Sequence, residues 1–176
     1  MLPAPQETDE PDTEGLWIAR AQRGDTAAFE RLYRRHHGRI FALCYRLCGQ
    51  AGQAEDATQE IFIRLWQKLP QYRFEARFST WLHRLALNHA LNHQHKQRWW
   101  RRLLPLDGQP ESSAPEPALQ PLDRALPHLP PRPRQVFVLY AIEGYRHAEI
   151  GELLGISEGA SKAHYHRARQ QLKELL

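Results

Sequence analysis

The sequence predicts an all-α protein: two small helical domains joined by a flexible linker, the C-terminal one a helix-turn-helix. Three observations carry this prediction. Apolar residues recur at three- and four-residue spacing along most of the chain, and no run of alternating apolar residues argues for strands. The stretch PLDGQPESSAPEPALQP is rich in Pro, Ser and acids and has too few apolar residues to order itself, so it reads as a linker. Charge is also segmented: −5 over residues 1–15, +10 over 16–104, −3 over 105–125 and +2 over 126–176, within a formal net charge of +4. A basic block, an acidic spacer and a second, mildly basic block suit two modules facing a polyanion, although basic helices are also ordinary solvated faces.

The chain has 176 residues, room for one ordinary domain or two small ones. The expected division is an acidic disordered tail over 1–14, a helical domain over 15–102, an acidic Pro-rich linker over 103–121 and a helix-turn-helix domain over 122–176. Mean hydropathy is −0.67 and 41% of residues are hydrophobic, which suits a soluble chain that still builds a core. No apolar run approaches the ~20 residues of a membrane span, so no direct membrane insertion is expected. The acidic N-terminus has no basic or apolar signal segment, and a cytoplasmic location is expected.

Taken in order, residues 15–23 form a short amphipathic helix ending at Gly24. Asp25 is a plausible N-cap for the second helix, in which Ala28, Phe29, Leu32, Tyr33, Ile40, Leu43, Cys44 and Leu47 recur at helical spacing until Gly49. The third helix begins near Gln53 and runs to Pro70. Its spacing puts Ala57, Ile61, Leu65 and Leu69 on one buried face, with Asp56, Gln59, Glu60, Ile63 and Arg64 on others. Ile63 is an apolar residue among polar ones, as expected where a partner helix docks; a partly covered surface isoleucine is the alternative.

The fourth helix covers roughly Ser79 to Arg102, with Ser79 or Thr80 as cap. The segment leading into it interleaves Tyr72, Phe74, Phe78 and Trp81 with Arg73, Arg77 and Arg84, the combination that stacks single-stranded bases and neutralises phosphates. Phe78 and Trp81 look like packing residues that shape such a site. The run HKQRWWRR that follows is basic and aromatic and can track a phosphate backbone. Beyond the linker, Pro131-Arg-Pro133 opens a helix that Gly144 closes, and two shorter helices cover Ala148–Leu154 and Glu158–Leu175.

This last pair has the layout of a helix-turn-helix. Ile150, Leu153 and Leu154 form an inner face, Gly155 supplies a left-handed turn, Ile156 plugs the corner, Ser157 caps the second helix and Glu158 sits near its positive end. Gly159, Ala160, Lys162, Ala163, His166, Arg167 and Arg169 are small or cationic, as suits a helix entering a major groove. Lys162 and His164 are the candidates for reaching base edges. An ordinary helical hairpin with a polar outer face is the alternative.

No Ser/His/Asp set, phosphate-binding Gly loop or acid pair stands at diagnostic spacing, so no enzyme and no cofactor are expected. His36, His37, Cys44 and Cys48 are a conceivable zinc set, but adjacent histidines point apart and both cysteines continue the apolar pattern. No metal ligand is expected.

Three separate words, in order, resemble the extracytoplasmic-function (ECF) branch of bacterial RNA polymerase sigma factors, over residues 16–176. EDATQEIFIRLW resembles the family's polymerase-docking helix at Asp56, Ala57, Gln59, Glu60, Phe62 and Trp66. FEARFSTWLHRLALN resembles its promoter-melting segment at Phe78, Thr80, Trp81, Leu82 and Asn88. EIGELLGISEGASKAHYHRAR resembles its second module at Glu149, Ile150, Leu154, Gly155, Ile156, Ser157, Glu158, Gly159, Lys162, His166, Arg167, Ala168 and Arg169.

The resemblance implies a sigma factor that binds core RNA polymerase. Asp56, Gln59, Glu60, Ile63, Arg64 and Trp66 would engage the clamp helices of the largest subunit, and the C-terminal domain the flap. Tyr72, Arg73, Phe74, Arg77, Ser79, Trp81 and Asn88 would capture the downstream promoter element as single strand, around a pocket for a flipped base. Ser157, Glu158, Gly159, Ala160, Lys162, His164, His166 and Arg167 would meet the upstream element as duplex DNA. The acidic linker would lie in the polymerase's template and RNA path. An anti-sigma factor is a further implied partner.

Departures are informative. Arg146 stands where the family commonly has a small capping hydroxyl; Ala160, Ser161 and His164 replace Thr, Val and Arg; Leu87, His89 and Asn92 replace Arg, Arg and Asp. Two other readings are a stand-alone DNA-binding regulator without polymerase docking, and a metal-dependent enzyme or sensor built on the His and Cys residues.

Overall fold

The structure, a computed structural model, describes residues 11–103 and 120–176, with side chains described for 13–92 and 120–176. The acidic residues 1–10, most of the linker and the side chains of HKQRWWRR lie outside that range. The described chain is all-α, as predicted. The first group comprises α1 (Pro11–Gln22), α2 (Thr26–Cys48), α3 (Ala51–Lys68) with a 3-10 turn at Leu69–Gln71, and α4 (Phe78–Leu103). The second comprises α5 (Pro121–Ala125) with a 3-10 turn at Leu126–His128, α6 (Pro131–Phe137) continuing as a π-helical turn at Val138–Ile142, α7 (His147–Leu154) and α8 (Glu158–Leu175). No described helix is long and apolar enough to cross a membrane.

In the first group α2 is central, packed against α1, α3 and α4. Asp25 caps it by accepting from the Ala27 and Ala28 amides, and Gly49 ends it in the left-handed conformation, φ +73°. Ala28, Leu32, Ile40, Leu43, Cys44 and Leu47 face inward against Ala57, Ile61, Leu65, Leu69, Leu82, Ala86 and Ala90. In the second group Leu126, Val136, Val138, Leu139, Ile150, Leu154, Ala168 and Leu172 make the corresponding core.

Two boundaries depart from the sequence reading. The first helix begins at Pro11, inside the segment expected to be a disordered tail. Proline suits a first helical position because its missing N–H has no intrahelical partner to lose, and Glu14 finds the buried His36 at 2.6 Å. Ser79 and Thr80 do not cap α4 but lie in its first turn, where the Thr80 and Trp81 amides donate to the Arg77 carbonyl. At Arg146 the missing hydroxyl is partly compensated: Glu149 accepts the Arg146 backbone N–H at 2.7 Å, one half of a capping box.

The corner between α7 and α8 depends on a glycine that the periodicity does not single out. A Cβ on Gly151 would stand 2.7 Å from the Ile156 carbonyl oxygen, and the Ile156 amide donates to the Gly151 carbonyl at 3.0 Å. The obstructing atom is backbone, so nothing swings aside. Gly151→Ala is expected to cost about 1–3 kcal/mol of stability by overpacking, measurable by urea unfolding of the full chain.

The two groups also touch. Arg46 of α2 pairs with the buried Asp123 of α5 at 2.7 Å, and His83 of α4 stands 3.2 Å from Glu143. Arg134 of α6 reaches the C-terminal carbonyls of α2.

Candidate nucleic-acid interface

Three surfaces carry the predicted residues, and each is positioned by the packing just described. On α3, Ala57, Ile61 and Leu65 are fully buried, so residues half a turn away must face out. Ile63 is 59% exposed and lies 200° around the helix from Ile61, opposite the core. Asp56, Gln59, Glu60 and Arg64 are exposed beside it, and Trp66 is partly covered, edge-on to Phe29 at 4.9 Å. Glu60 is not a simple outward charge, since it holds His89 of α4 at 2.8 Å. The result is a polar helix face centred on one apolar side chain.

The second surface is the segment between the Leu69–Gln71 turn and α4. Tyr72 is buried and organises it: its ring lies 5.5 Å from Phe78, 5.1 Å from Trp81 and 4.8 Å from Phe74, and its hydroxyl donates to the Ala76 carbonyl at 2.5 Å. Burial pushes the Tyr72 hydroxyl above its ordinary pKa. Phe78 is core and Trp81 partly buried, the packing roles expected of them. Phe74 is the exposed ring, 52% open, and it adopts φ +58°. A bulky residue there is strained, and such strain persists only where the surroundings over-determine it. Arg73 and Arg77 flank it in solvent, Ser79 is partly covered, and Asn88 is exposed two turns further along α4. The chemistry is an aromatic platform beside cations, suited to an unstacked base.

The third surface is α8. Ser157 caps it by accepting from the Ala160 amide at 3.0 Å, leaving Gly159 exposed and Ala160 partly covered at its start. Glu158 and Lys162 pair at 2.7 Å, and that hydrogen bond and charge hold the Glu158 carboxyl below its ordinary pKa. His166 and Arg167 are exposed. His164 is half-buried rather than free on the outer face, and burial, then Arg167 and Arg132, lower its pKa. Ser161 is fully buried and bonds His147 at 2.9 Å, which explains a small polar residue within the helix.

Among the described residues no three His, Cys, Asp or Glu side chains gather in a metal-binding group. His36 meets Glu14 and Phe78, while burial pushes the Cys44 thiol up to about 12. The sequence missed Gln22, Gly151 and Arg134. Gly151 carried a signal, being the residue five before the Ile156 corner; the other two work through backbone carbonyls far away in sequence and carried none.

Both helical groups match known families. Residues 32–100 match the family described as Sigma-70 region 2, and residues 119–172 match Sigma-70, region 4. The chain is 33% identical over 183 residues to the ECF RNA polymerase sigma factor SigE of Mycolicibacterium smegmatis, covering 96% of this chain and 69% of that protein. It is 31% identical to the ECF RNA polymerase sigma factor SigW of Bacillus subtilis, covering 90% and 94% of the two chains. Among solved structures it is similar to CnrH in complex with the cytosolic domain of CnrY, with a TM-score of 0.50 at 26% identity over 93% of this chain and 97% of that one. The fold is shared with the Bartonella quintana sigma factor RpoE, solved with the anti-sigma factor NepR, at a TM-score of 0.55 and 20% identity over 84% and 95% of the chains.

Proposed function

The chain belongs to the ECF branch of the sigma-70 family, and from that premise we propose that it binds core RNA polymerase and directs it to promoters of its own. Its family is one of transcription initiation factors, not enzymes. The observation that carries the finer reading is the solvent-facing Ile63 on α3, joined in one chain to a separate helix-turn-helix. A stand-alone regulator needs the second feature and has no use for the first.

In this reading Asp56, Gln59, Glu60, Ile63, Arg64 and Trp66 meet the polymerase clamp helices, and the C-terminal module meets the flap. Arg73, Phe74 and Arg77 receive the downstream element as single strand, with Tyr72, Ser79, Trp81 and Asn88 shaping the pocket. Ser157, Glu158, Gly159, Ala160, Lys162, His166 and Arg167 approach the upstream element as duplex. His164 is half-buried and offers less of its ring to bases than an exposed side chain would. An anti-sigma factor is the further partner that family membership implies.

Core polymerase mixed with the purified chain should begin transcripts at a restricted set of sites, read by sequencing their 5′ ends. A chain that neither co-purifies with core nor changes start-site choice refutes the proposal. For the duplex contacts, Lys162→Ala should weaken upstream-element binding and lower the log–log salt slope by about one counterion. Lys162 must first leave Glu158, so Glu158→Gln should strengthen binding; an unchanged slope removes Lys162 from the phosphate contacts.

A further inference from the structure

Helix α1 precedes residue 32, where the region 2 match begins, yet it reaches the single-strand segment from beneath at two points. Glu14 holds His36, whose ring lies 5.4 Å from Phe78. At the other end of α1, the Gln22 side-chain amide donates to two backbone carbonyls, Leu69 at 3.0 Å and Tyr72 at 2.8 Å. A primary amide has two N–H donors, and both are used here.

Those two carbonyls bracket the 3-10 turn from which the aromatic loop departs. The Tyr72 backbone N–H closes this turn on the Leu69 carbonyl at 3.1 Å, so Gln22 reinforces a single turn from outside it. Tyr72 then fixes the rest. Its ring supports Phe74, and its hydroxyl ties the far side of the loop through Ala76. Phe74 keeps φ +58° without a glycine's freedom, so the conformation depends on what holds Tyr72.

We infer that Gln22 is a positioning residue for the single-strand loop: by fixing the Leu69–Tyr72 turn it sets the placement of the exposed Phe74 ring, and with it which base the loop accepts. This rests on the reading of the loop as a single-strand binder. Gln22 touches no nucleic acid itself. Its effect passes through Tyr72, and it should appear in discrimination among bases rather than in overall affinity.

The decisive variant is Gln22→Glu, which keeps size and shape but replaces the donor with oxygens that repel both carbonyls. Gln22→Ala is milder, since water can reach the carbonyls. The readout is enrichment from a randomised single-stranded oligonucleotide pool by core polymerase carrying the full chain, alongside thermal unfolding and duplex binding. Wild type should enrich one base strongly at one position. Base contacts lose discrimination when the side chain that makes them is misplaced, so Gln22→Glu should cut that enrichment about tenfold, with Gln22→Ala between.

Duplex affinity and the unfolding midpoint should hold in the alanine variant at least. If both variants lower retention of all sequences in equal proportion, Gln22 merely supports the fold and the inference is overturned. If wild type enriches no base, the single-strand reading fails first and takes the inference with it. If wild type and Gln22→Glu discriminate equally, the loop binds single strands but Gln22 does not position it.

Discussion

An Arg134→Ala chain is expected to lose the packing between its two helical groups, with a larger loss of stability than truncation of the other described polar side chains. Arg134 is 6% exposed, a charge taken almost wholly out of water. Its guanidinium donates through Nε to the Leu47 carbonyl at 3.2 Å, through Nη2 to the Cys48 carbonyl at 2.8 Å, and through Nη1 to Leu129 at 3.1 Å. The first two oxygens belong to the last turn of α2, where carbonyls have no intrahelical donor and the helix dipole is negative. The third lies in its own group, so one planar fork bridges both.

Gly49 makes room for it: a Cβ there would stand 2.5 Å from the guanidinium nitrogen. Each hydrogen bond from a buried charged group contributes about 1.5–3 kcal/mol, so losing three outweighs the roughly 0–1 kcal/mol of an exposed ion pair. Asp123→Ala should cost less, because Arg46 remains partly in water and can rehydrate. Arg134→Lys should not rescue, since an ammonium lacks the fork.

The measurement is small-angle scattering combined with calorimetry. The 17 residues 104–120 can extend to at most ~60 Å, so the groups have tether enough to part. Wild type should show one unfolding transition and a compact radius; Arg134→Ala should show a larger radius and two transitions. An unchanged radius with one barely shifted transition would mean that Arg134 does not join the groups, leaving apolar packing and the Arg46–Asp123 and His83–Glu143 contacts to do so.

Arg134 also marks the limit of what the sequence made legible. Where information is local and periodic, it was readable: the α2 apolar face, the Asp25 and Ser157 caps, the helix end at Gly49 and the left-handed Gly155 stand where spacing puts them. Phe78 and Trp81 were recognisable as packing residues, and Ile63 as an outward anomaly. The start of α1 was hidden because Pro11 and its acidic neighbours look like a tail until His36 supplies a partner for Glu14. The π-helical turn leaves the apolar pattern of Val138–Ile142 almost unchanged. Arg134 and Gln22 look like ordinary polar helix residues, and only the fold brings within reach the carbonyls of Leu69, Tyr72, Leu47 and Cys48, 47 to 87 residues away. Periodicity reports which face is buried; it does not report which distant backbone a buried donor meets.

Ile63 poses the reverse case, a residue whose value should lie outside the chain. Replacing it with glutamate is expected to weaken binding to core polymerase sharply while leaving the fold intact. The side chain is 59% exposed and opposite the α3 core face, so the free protein loses little packing, and a surface change of this kind stays within about 0.5 kcal/mol. In a docked interface the same position would be enclosed, and a carboxylate would be carried into an apolar contact without a partner. Central interface side chains cost 2 kcal/mol or more when truncated, so binding should weaken by at least about thirtyfold. Ile61→Glu is the informative contrast: two residues away but fully buried, it should unfold the first helical group and lose binding for that reason. The pair separates docking from folding when core affinity and thermal unfolding are measured on both variants. An Ile63→Glu chain that stays folded and still binds core at the wild-type level would leave this isoleucine a mere surface residue and move the docking site elsewhere on the molecule.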